Sequence, residues 1–264
     1  MTINKFPSIS IVGATGAVGR TCLDILSERK YPSDKINIFA SKKSEGKKIR
    51  YLSEELIVRE AKKNSFKNSN IVFISADSQV SLDLAPHAVK SGSLVIDDGS
   101  AFRMEKDVPL VIPEVNENDI NYHNGIISIP NCTTTPLVMA IHNLRKLAHI
   151  NRIQATTYQA VSGSGALAIS ELQSQTENII NNKDVSKSVY THQIAFSLIP
   201  QVDDFMADGY TKEEHKMINE TKKILHDENL LISATCVRVP VFYCHSEAIS
   251  VDSVSYTHLT LPTK

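Results

Sequence analysis

Covalent chemistry in this chain points first to Cys132, in Ser128-Ile129-Pro130-Asn131-Cys132-Thr133-Thr134-Thr135-Pro136. An apolar run, Leu137-Val138-Met139-Ala140-Ile141, follows directly. The stretch reads as a strand end, a Pro-Asn turn and a helix whose first residues are Cys and Thr. Backbone N–H groups at a helix start have no intrahelical acceptor, and together with the helix dipole they favour a thiolate there. A thiolate so placed suits acyl transfer or aldehyde chemistry. The plainer alternative is a small buried cysteine beside a cap. Cys22, Cys236 and Cys244 show no CxxC spacing and are assigned to packing; no metal-ligand pattern exists, so no metal is expected. Free thiols fit a reducing compartment better than a disulfide scaffold does.

A second chemical feature is the turn Gly13-Ala14-Thr15-Gly16-Ala17-Val18-Gly19, which follows the apolar run Ser8-Ile9-Ser10-Ile11-Val12 and opens a helical pattern. Glycines let backbone N–H groups approach a phosphate, and the helix start favours pyrophosphate charge. Gly13, Thr15, Gly16, Ala17 and Val18 are therefore candidate dinucleotide contacts, against the alternative of a structural turn. At the end of the next strand, an NAD site usually carries an acidic residue for the ribose 2′-hydroxyl. Here Ser41, Lys42, Lys43 and Ser44 come first. Hydroxyls and cations suit a 2′-phosphate, so Ser41, Lys43 and Ser44 point to NADP, with a solvated basic loop as the alternative.

The elements that must hold these groups follow from periodicity. Strand patterns at Ile36–Ala40, Ile71–Ser75 and Leu94–Asp97 alternate with helical patterns at 17–30 and 78–91, the latter closed by Gly92. Alternation of this kind implies a parallel sheet with helices on its faces, an α/β Rossmann-type doubly wound domain over residues 1–131. From Ile150 the pattern changes to a long β-prone run at Ile153–Val161, helices at 166–181 and 211–226, and β-type sequence at Leu231–Val251 interrupted by Pro240. Thr211 and Glu214 have capping-box spacing. This predicts a second, α+β domain over residues 132–252. Residues 253–264 fit neither pattern and read as a non-native tail. The chain has 264 residues, 42% hydrophobic and 22% charged, with formal net charge −1. Nothing basic points to nucleic acid, and no apolar run is long enough for a membrane span. The N-terminus enters a strand without a signal-peptide pattern, so a cytoplasmic location is expected.

With the glycine loop and Pro130-Asn131-Cys132-Thr133-Thr134 in place, the chain resembles the aspartate-β-semialdehyde dehydrogenase family. The resemblance extends through Asp97-Asp98-Gly99-Ser100-Ala101-Phe102-Arg103, Tyr158-Gln159-Ala160-Val161-Ser162-Gly163, Glu213-Glu214-His215-Lys216, and Arg238 with His245-Ser246-Glu247. It implies NADPH-dependent reduction of β-aspartyl phosphate to the semialdehyde with release of phosphate, on the route to lysine, threonine and methionine. It also implies a homodimer, joined through the second domain. Cys132 resembles the nucleophile that forms a thioester, His245 the general acid/base, and Gln159 the residue orienting the intermediate. Arg238 matches a clamp for the substrate α-carboxylate, Glu213 the contact for its amino group, and Arg103 and Lys216 the phosphate contacts. Asn131 is expected beside the acyl phosphate, and Ser162 and Gly163 match a cofactor-contacting turn. Read without the resemblance, Arg238 is a charge on an outward strand face, and Glu213 with Lys216 is an exposed helix-face ion pair. Family members continue beyond the point near Asp252 where agreement fails. Two alternatives stay open: an N-acetyl-glutamyl-phosphate reductase-like enzyme, against which the sequence around Cys132 and the E-x-x-K helix argue, and a truncated, inactive NADP-binding fragment.

Overall fold

A computed structural model describes residues 6–253, and the expected tail lies outside the described residues from position 254 on. Two compact units are present. The first holds the described residues up to Val111 together with Glu117–Pro130; the second holds Ile112–Asn116 and the residues from Asn131. The changeover falls between Pro130 and Asn131, and Ile112–Asn116, expected in the first domain, groups with the second.

In the first unit, β1 (Ile9–Val12), α1 (Ala17–Glu28) and β2 (Ile36–Ala40) are followed by β3 (Lys48–Tyr51), β4 (Glu54–Ile57) and β5 (Arg59–Glu60). Next come β6 (Ile71–Ile74), α2 (Ser78–Lys90) and β7 (Leu94–Asp97). After the short helix α3 (Pro113–Asn116), which belongs to the second unit, β8 (Ile126–Ser128) completes the first. Six of these strands form one parallel sheet in the order β5-β2-β1-β6-β7-β8. Strand order reverses between β1 and β6, and in open α/β sheets ligands bind at such a reversal, beyond the carboxyl ends of the strands. Val12, Ile74, Val72 and Val95 are almost wholly buried, as both-face coverage by helices requires. The helix α2 starts where Asp77 accepts the Val80 N–H, a side-chain N-cap. The β3–β4 hairpin turns at Leu52, which takes φ +51°.

The second unit continues with α4 (Thr134–Arg145), β9 (Ile150–Gln159), α5 (Ala166–Ile180), α6 (Lys212–Leu225), β10 (Leu231–Arg238) and β11 (Ser246–Ser253). Its sheet runs β10-β9-β11, with β10 parallel and β11 antiparallel to β9. One face buries Ile153, Ala155, Ala234 and Cys236 against Leu137 and Ile141 of α4 and Met217 of α6. The expected capping box opens α6: Glu214 N–H donates to Thr211 Oγ1, and Thr211 N–H to Glu214 Oε2. Glu214 Oε1 also accepts the Cys236 N–H at 3.0 Å, so the cap bolts the helix to β10. The β-type run ends at Arg238, before Pro240, and resumes after Cys244 at φ +69°. Cys236 is core, with its thiol pushed up to about 12 by burial, and Cys22 packs partly buried. Cys244 departs from expectation. It is exposed on the β10–β11 turn and packs into no core.

Candidate active site

At the reversal point of the first unit, the loop after β1 is held by geometry that only glycine allows. Gly13 has φ +86°, and a Cβ there would lie 1.9 Å from the Ser75 carbonyl oxygen. At Gly19 a Cβ would stand 2.3 Å from the Gly13 oxygen, so helix and loop are in backbone contact. A cavity of about 550 Å³ opens there, lined by Gly13, Thr15, Gly16, Ser41 and Lys42 among others. Glycine cradle, helix start and hydroxyl-cation pair fit a dinucleotide. Ala17, Val18, Lys43 and Ser44 are not part of its lining; Ala17 and Val18 open α1, with Val18 largely exposed, and Lys43 and Ser44 lie on the 3₁₀ turn after β2. Ser75, Asp77 and Val80, at the β6–α2 turn, line the cavity and were not anticipated. The reversal rule itself was the signal for them, since it places a ligand against the ends of both flanking strands. Arg103, also in this unit, is buried, with Nε donating to Ile129 O at 3.0 Å and Nη2 to Asp98 O at 2.8 Å.

In the second unit, Cys132 lies two residues ahead of α4 as the helix is bounded. Its capping bonds start earlier. Asn131 Oδ1 accepts the Thr133 N–H at 2.8 Å, and Asn131 O accepts the Thr135 N–H at 3.1 Å. Asn131 thus caps the turn, and Cys132 is the first residue inside it. The ladder misses its next rung because Pro136 has no N–H to give to Cys132 O. The expected thiol at a helix start is present, and the proline accounts for the shifted boundary.

Cys132 Sγ stands 3.4 Å from His245 Nε2 and 3.7 Å from Asn131 Oδ1, with the cysteine exposed. The other ring nitrogen of His245, Nδ1, accepts the Ala160 N–H at 3.0 Å, while Arg238 Nη1 donates to Ala160 O at 2.7 Å. One residue, Ala160, therefore braces both groups, the imidazole through its N–H and the guanidinium through its carbonyl. A neutral ring that accepts at Nδ1 carries its proton on Nε2, facing sulfur. Burial, then the Arg238 charge, holds His245 below its ordinary pKa, with Glu213 opposing. Gly163 closes this corner: a Cβ there would stand 3.2 Å from Arg238 Nη1 and 3.4 Å from His245 Nε2. Arg238 is 5% exposed and so is not an outward strand charge; its guanidinium carbon lies 6.0 Å from the Tyr190 ring centre.

Glu213 gathers the remaining polar groups. Its Oε1 accepts from Asn131 Nδ2 at 3.0 Å and Gln159 Nε2 at 3.1 Å, and its Oε2 from Lys216 Nζ at 3.0 Å. At 5% exposure this is a buried organising carboxylate, not a surface ion pair. Burial disfavours the Lys216 charge, but Glu213 and Asp203, the latter at 2.9 Å, outweigh it and raise the ammonium above its ordinary pKa. Glu220, one per cent exposed, accepts the Asn131 N–H at 2.7 Å and locks the residue ahead of the sulfur. Sequence reasoning missed Glu220, whose signal is its i+7 spacing from Glu213 on the inward stripe of α6.

Two family models match the chain: "Semialdehyde dehydrogenase, NAD binding domain" over residues 8–123 and "Semialdehyde dehydrogenase, dimerisation domain" over residues 140–259. The second runs into the stretch set aside above as a tail. The aspartate-semialdehyde dehydrogenase of Aquifex aeolicus is 49% identical over 249 residues, covering 93% of this chain and 73% of that protein. The chain belongs to the aspartate-semialdehyde dehydrogenase family. Among solved family structures, aspartate semialdehyde dehydrogenase II of Vibrio cholerae, solved in complex with ASA, superposes with TM-score 0.92 at 42% identity, covering 94% of this chain and 75% of that one. The Candida albicans enzyme with NADP gives TM-score 0.70 at 26% identity, covering 98% and 74%. In semialdehyde dehydrogenase terms the first unit is the NAD(P)-binding domain, with a Rossmann-like sheet, and the second the dimerisation domain. Of the catalytic and substrate-binding residues anticipated from sequence, Cys132, His245, Gln159, Asn131, Glu213, Lys216 and Arg238 share one connected cluster. Ser162 and Gly163 lie on the 3₁₀ turn after β9, Gly163 against Arg238 and His245. Among the described residues no group of His, Cys, Asp or Glu is arranged to hold a metal, and no helix is long and apolar enough to cross a membrane.

Proposed function

We propose that this chain reduces β-aspartyl phosphate to aspartate β-semialdehyde with NADPH, releasing phosphate, in the biosynthesis of the aspartate family of amino acids. The observation that carries this reading is the approach of Cys132 Sγ to His245 Nε2 at the opening turn of α4. The Cys132 thiolate attacks the acyl carbon; the S–C bond forms as the C–O bond to phosphate breaks, and phosphate leaves with that electron pair. NADPH, when bound, supplies the hydride that reduces the resulting thioester. Gly13, Thr15, Gly16, Ser41 and Lys42, which line the cavity, would hold it, with Lys43 and Ser44 on the adjoining turn. His245 acts at Nε2 as a donor, first to the sulfur anion and then to the oxyanion that precedes collapse. Acting first as acceptor of the thiol proton would need the opposite tautomer, which the Ala160 N–H opposes. Asn131 and Gln159, fixed by Glu213, orient the acyl group. Arg238 takes the α-carboxylate through its planar fork, and Lys216 takes the phosphate. Residues 1–131 are assigned to cofactor binding and 132–252 to catalysis and pairing. A homodimer, formed through the sheet face that exposes Tyr158 and Leu231, is supported by the dimerisation-domain match.

The test runs the reaction backwards. Phosphate-dependent reduction of NADP⁺ with L-aspartate β-semialdehyde, and none with N-acetyl-L-glutamate semialdehyde, is expected; the reverse preference overturns the reading. Iodoacetamide should label Cys132 faster than Cys244, and acyl phosphate should protect it. Uniformly slow labelling of all four cysteines points to a catalytically silent fragment.

A further inference from the structure

Between α5 and α6 the chain runs through residues 181–211 without a helix or a strand. A connection that long needs anchors other than its own secondary structure, and its backbone donors need acceptors. Two buried side chains one turn apart on α5 supply both. Glu171, 6% exposed, accepts the N–H groups of Ser188, Val189 and Tyr190 and the Ser188 hydroxyl. Gln175 accepts the Ile194 and Ala195 N–H groups at Oε1, and its Nε2 donates to Ser186 O and to Glu171 Oε1. Burial works against the Glu171 charge, but the bonds from Ser188, Val189 and Tyr190 outweigh it and hold the carboxyl below its ordinary pKa. The latched segment carries Tyr190, whose ring centre lies 6.0 Å from the Arg238 guanidinium carbon, with Arg238 Nε buried. Further along, Ile199 pairs with the Arg238 backbone, giving its N–H to Arg238 O and accepting the Arg238 N–H. None of these contacts runs through Lys216.

We propose that Glu171, steadied by Gln175, is a positioning residue that fixes Tyr190 on the Arg238 guanidinium from α5. This rests on the reaction proposed above, in which Arg238 holds the substrate carboxylate. A guanidinium recognises a carboxylate bidentately only while its plane is fixed, and an aromatic face against it limits that plane. Glu171 holds the backbone N–H of Tyr190 itself, so the ring's place depends on that bond. At Glu171→Gln only one oxygen remains. If it serves Ser188 and Val189, the new amide N–H groups face the Tyr190 N–H and Gln175 Nε2, donor against donor.

The test is Glu171→Gln in the whole chain. The KM for L-aspartate β-semialdehyde should rise about tenfold, the scale of one hydrogen bond to a charged group, while kcat, the phosphate KM and the NADP⁺ affinity stay within about twofold. Tyr190→Ala should reproduce the rise, and the double variant should fall well short of the product of the two single effects. A loss of kcat with every KM unchanged marks a smaller folded fraction and overturns the proposal, as does a double variant that reaches the full product. Hydrogen exchange reads the same coupling without turnover. In Glu171→Gln the amides of residues 188–190 and the Arg238 Nε–H, followed by ¹⁵N NMR and assigned by its loss in Arg238→Lys, should both exchange about tenfold faster. Freed amides beside an unchanged Arg238 Nε–H overturn the proposal. An inactive parent chain sinks the reaction above and leaves this coupling decidable. Ser188→Ala removes a single bond to Glu171 and carries the same readouts, smaller in size, should Glu171→Gln fail to fold.

Discussion

Glu247 on β11 has both carboxylate oxygens shut off from water and, among the described residues, without a hydrogen-bond partner. Burial alone lifts its pKa from 4.5 to about 7. Between those values the folded chain keeps the proton and the unfolded chain loses it. The unfolded state then binds fewer protons, so stability is full at low pH and declines as pH rises through the folded pKa. A displacement of about 2.5 pH units, at 1.36 kcal/mol each, is worth at most about 3 kcal/mol. Partial access of solvent to the strand brings this to roughly 2 kcal/mol. Glu247→Gln keeps the shape and removes the ionisation. The variant should match the parent near pH 4, where both side chains are neutral, and exceed it by about 2 kcal/mol near pH 8. Urea unfolding followed by circular dichroism at the two pH values measures this directly. A stability difference that is the same at both refutes the assignment of Glu247 as a buried, protonated acid.

Three further outcomes follow from the geometry. Gly163→Ala places a methyl 3.2 Å from Arg238 Nη1 and 3.4 Å from His245, both pinned to Ala160, so kcat/KM should fall roughly 10- to 100-fold with little loss of stability; unchanged kinetics would show that the corner yields freely. Arg238→Gln removes a charge that depresses the His245 pKa, so an NMR titration of that ring should move to higher pH; a static or falling midpoint contradicts the coupling. Gly13→Ala meets the Ser75 carbonyl at 1.9 Å in a positive-φ backbone, and should lower the melting temperature by an amount equivalent to roughly 2–4 kcal/mol while abolishing dinucleotide binding; retained NADP⁺ affinity by fluorescence titration removes the loop from the cofactor site.

Local hydrogen bonding explains what could be read along the chain. Thr211 and Glu214 announce α6 because the capping box closes within four residues. The glycines of the first loop report a backbone approach made by their immediate neighbours and one adjacent strand. The cysteine at the helix start was legible for the same reason, and its two-residue boundary shift comes from a proline visible in the sequence. The β3–β4 hairpin was not legible, because Leu52 takes a left-handed turn position that glycine or asparagine normally marks.

Residue types alone determined that this chain carries a thiol at a helix start, a glycine-rich turn between a strand and a helix, and a polar helix opened by a capping box. Tertiary structure decided which of its many polar side chains meet. Parallel pairing sets Arg238 opposite Gln159, and antiparallel pairing sets Ser246 opposite Tyr158. That register brings His245, 113 positions from Cys132, to the sulfur and to the N–H of Ala160, whose carbonyl also holds Arg238. It likewise turns Glu213 from an ordinary E-x-x-K surface carboxylate into the buried acceptor for Asn131, Gln159 and Lys216. A one-residue slip in either pairing sends every side chain of that strand to the opposite face. Register depends on how the whole sheet packs on α4 and α6, and no short stretch of sequence carries that information.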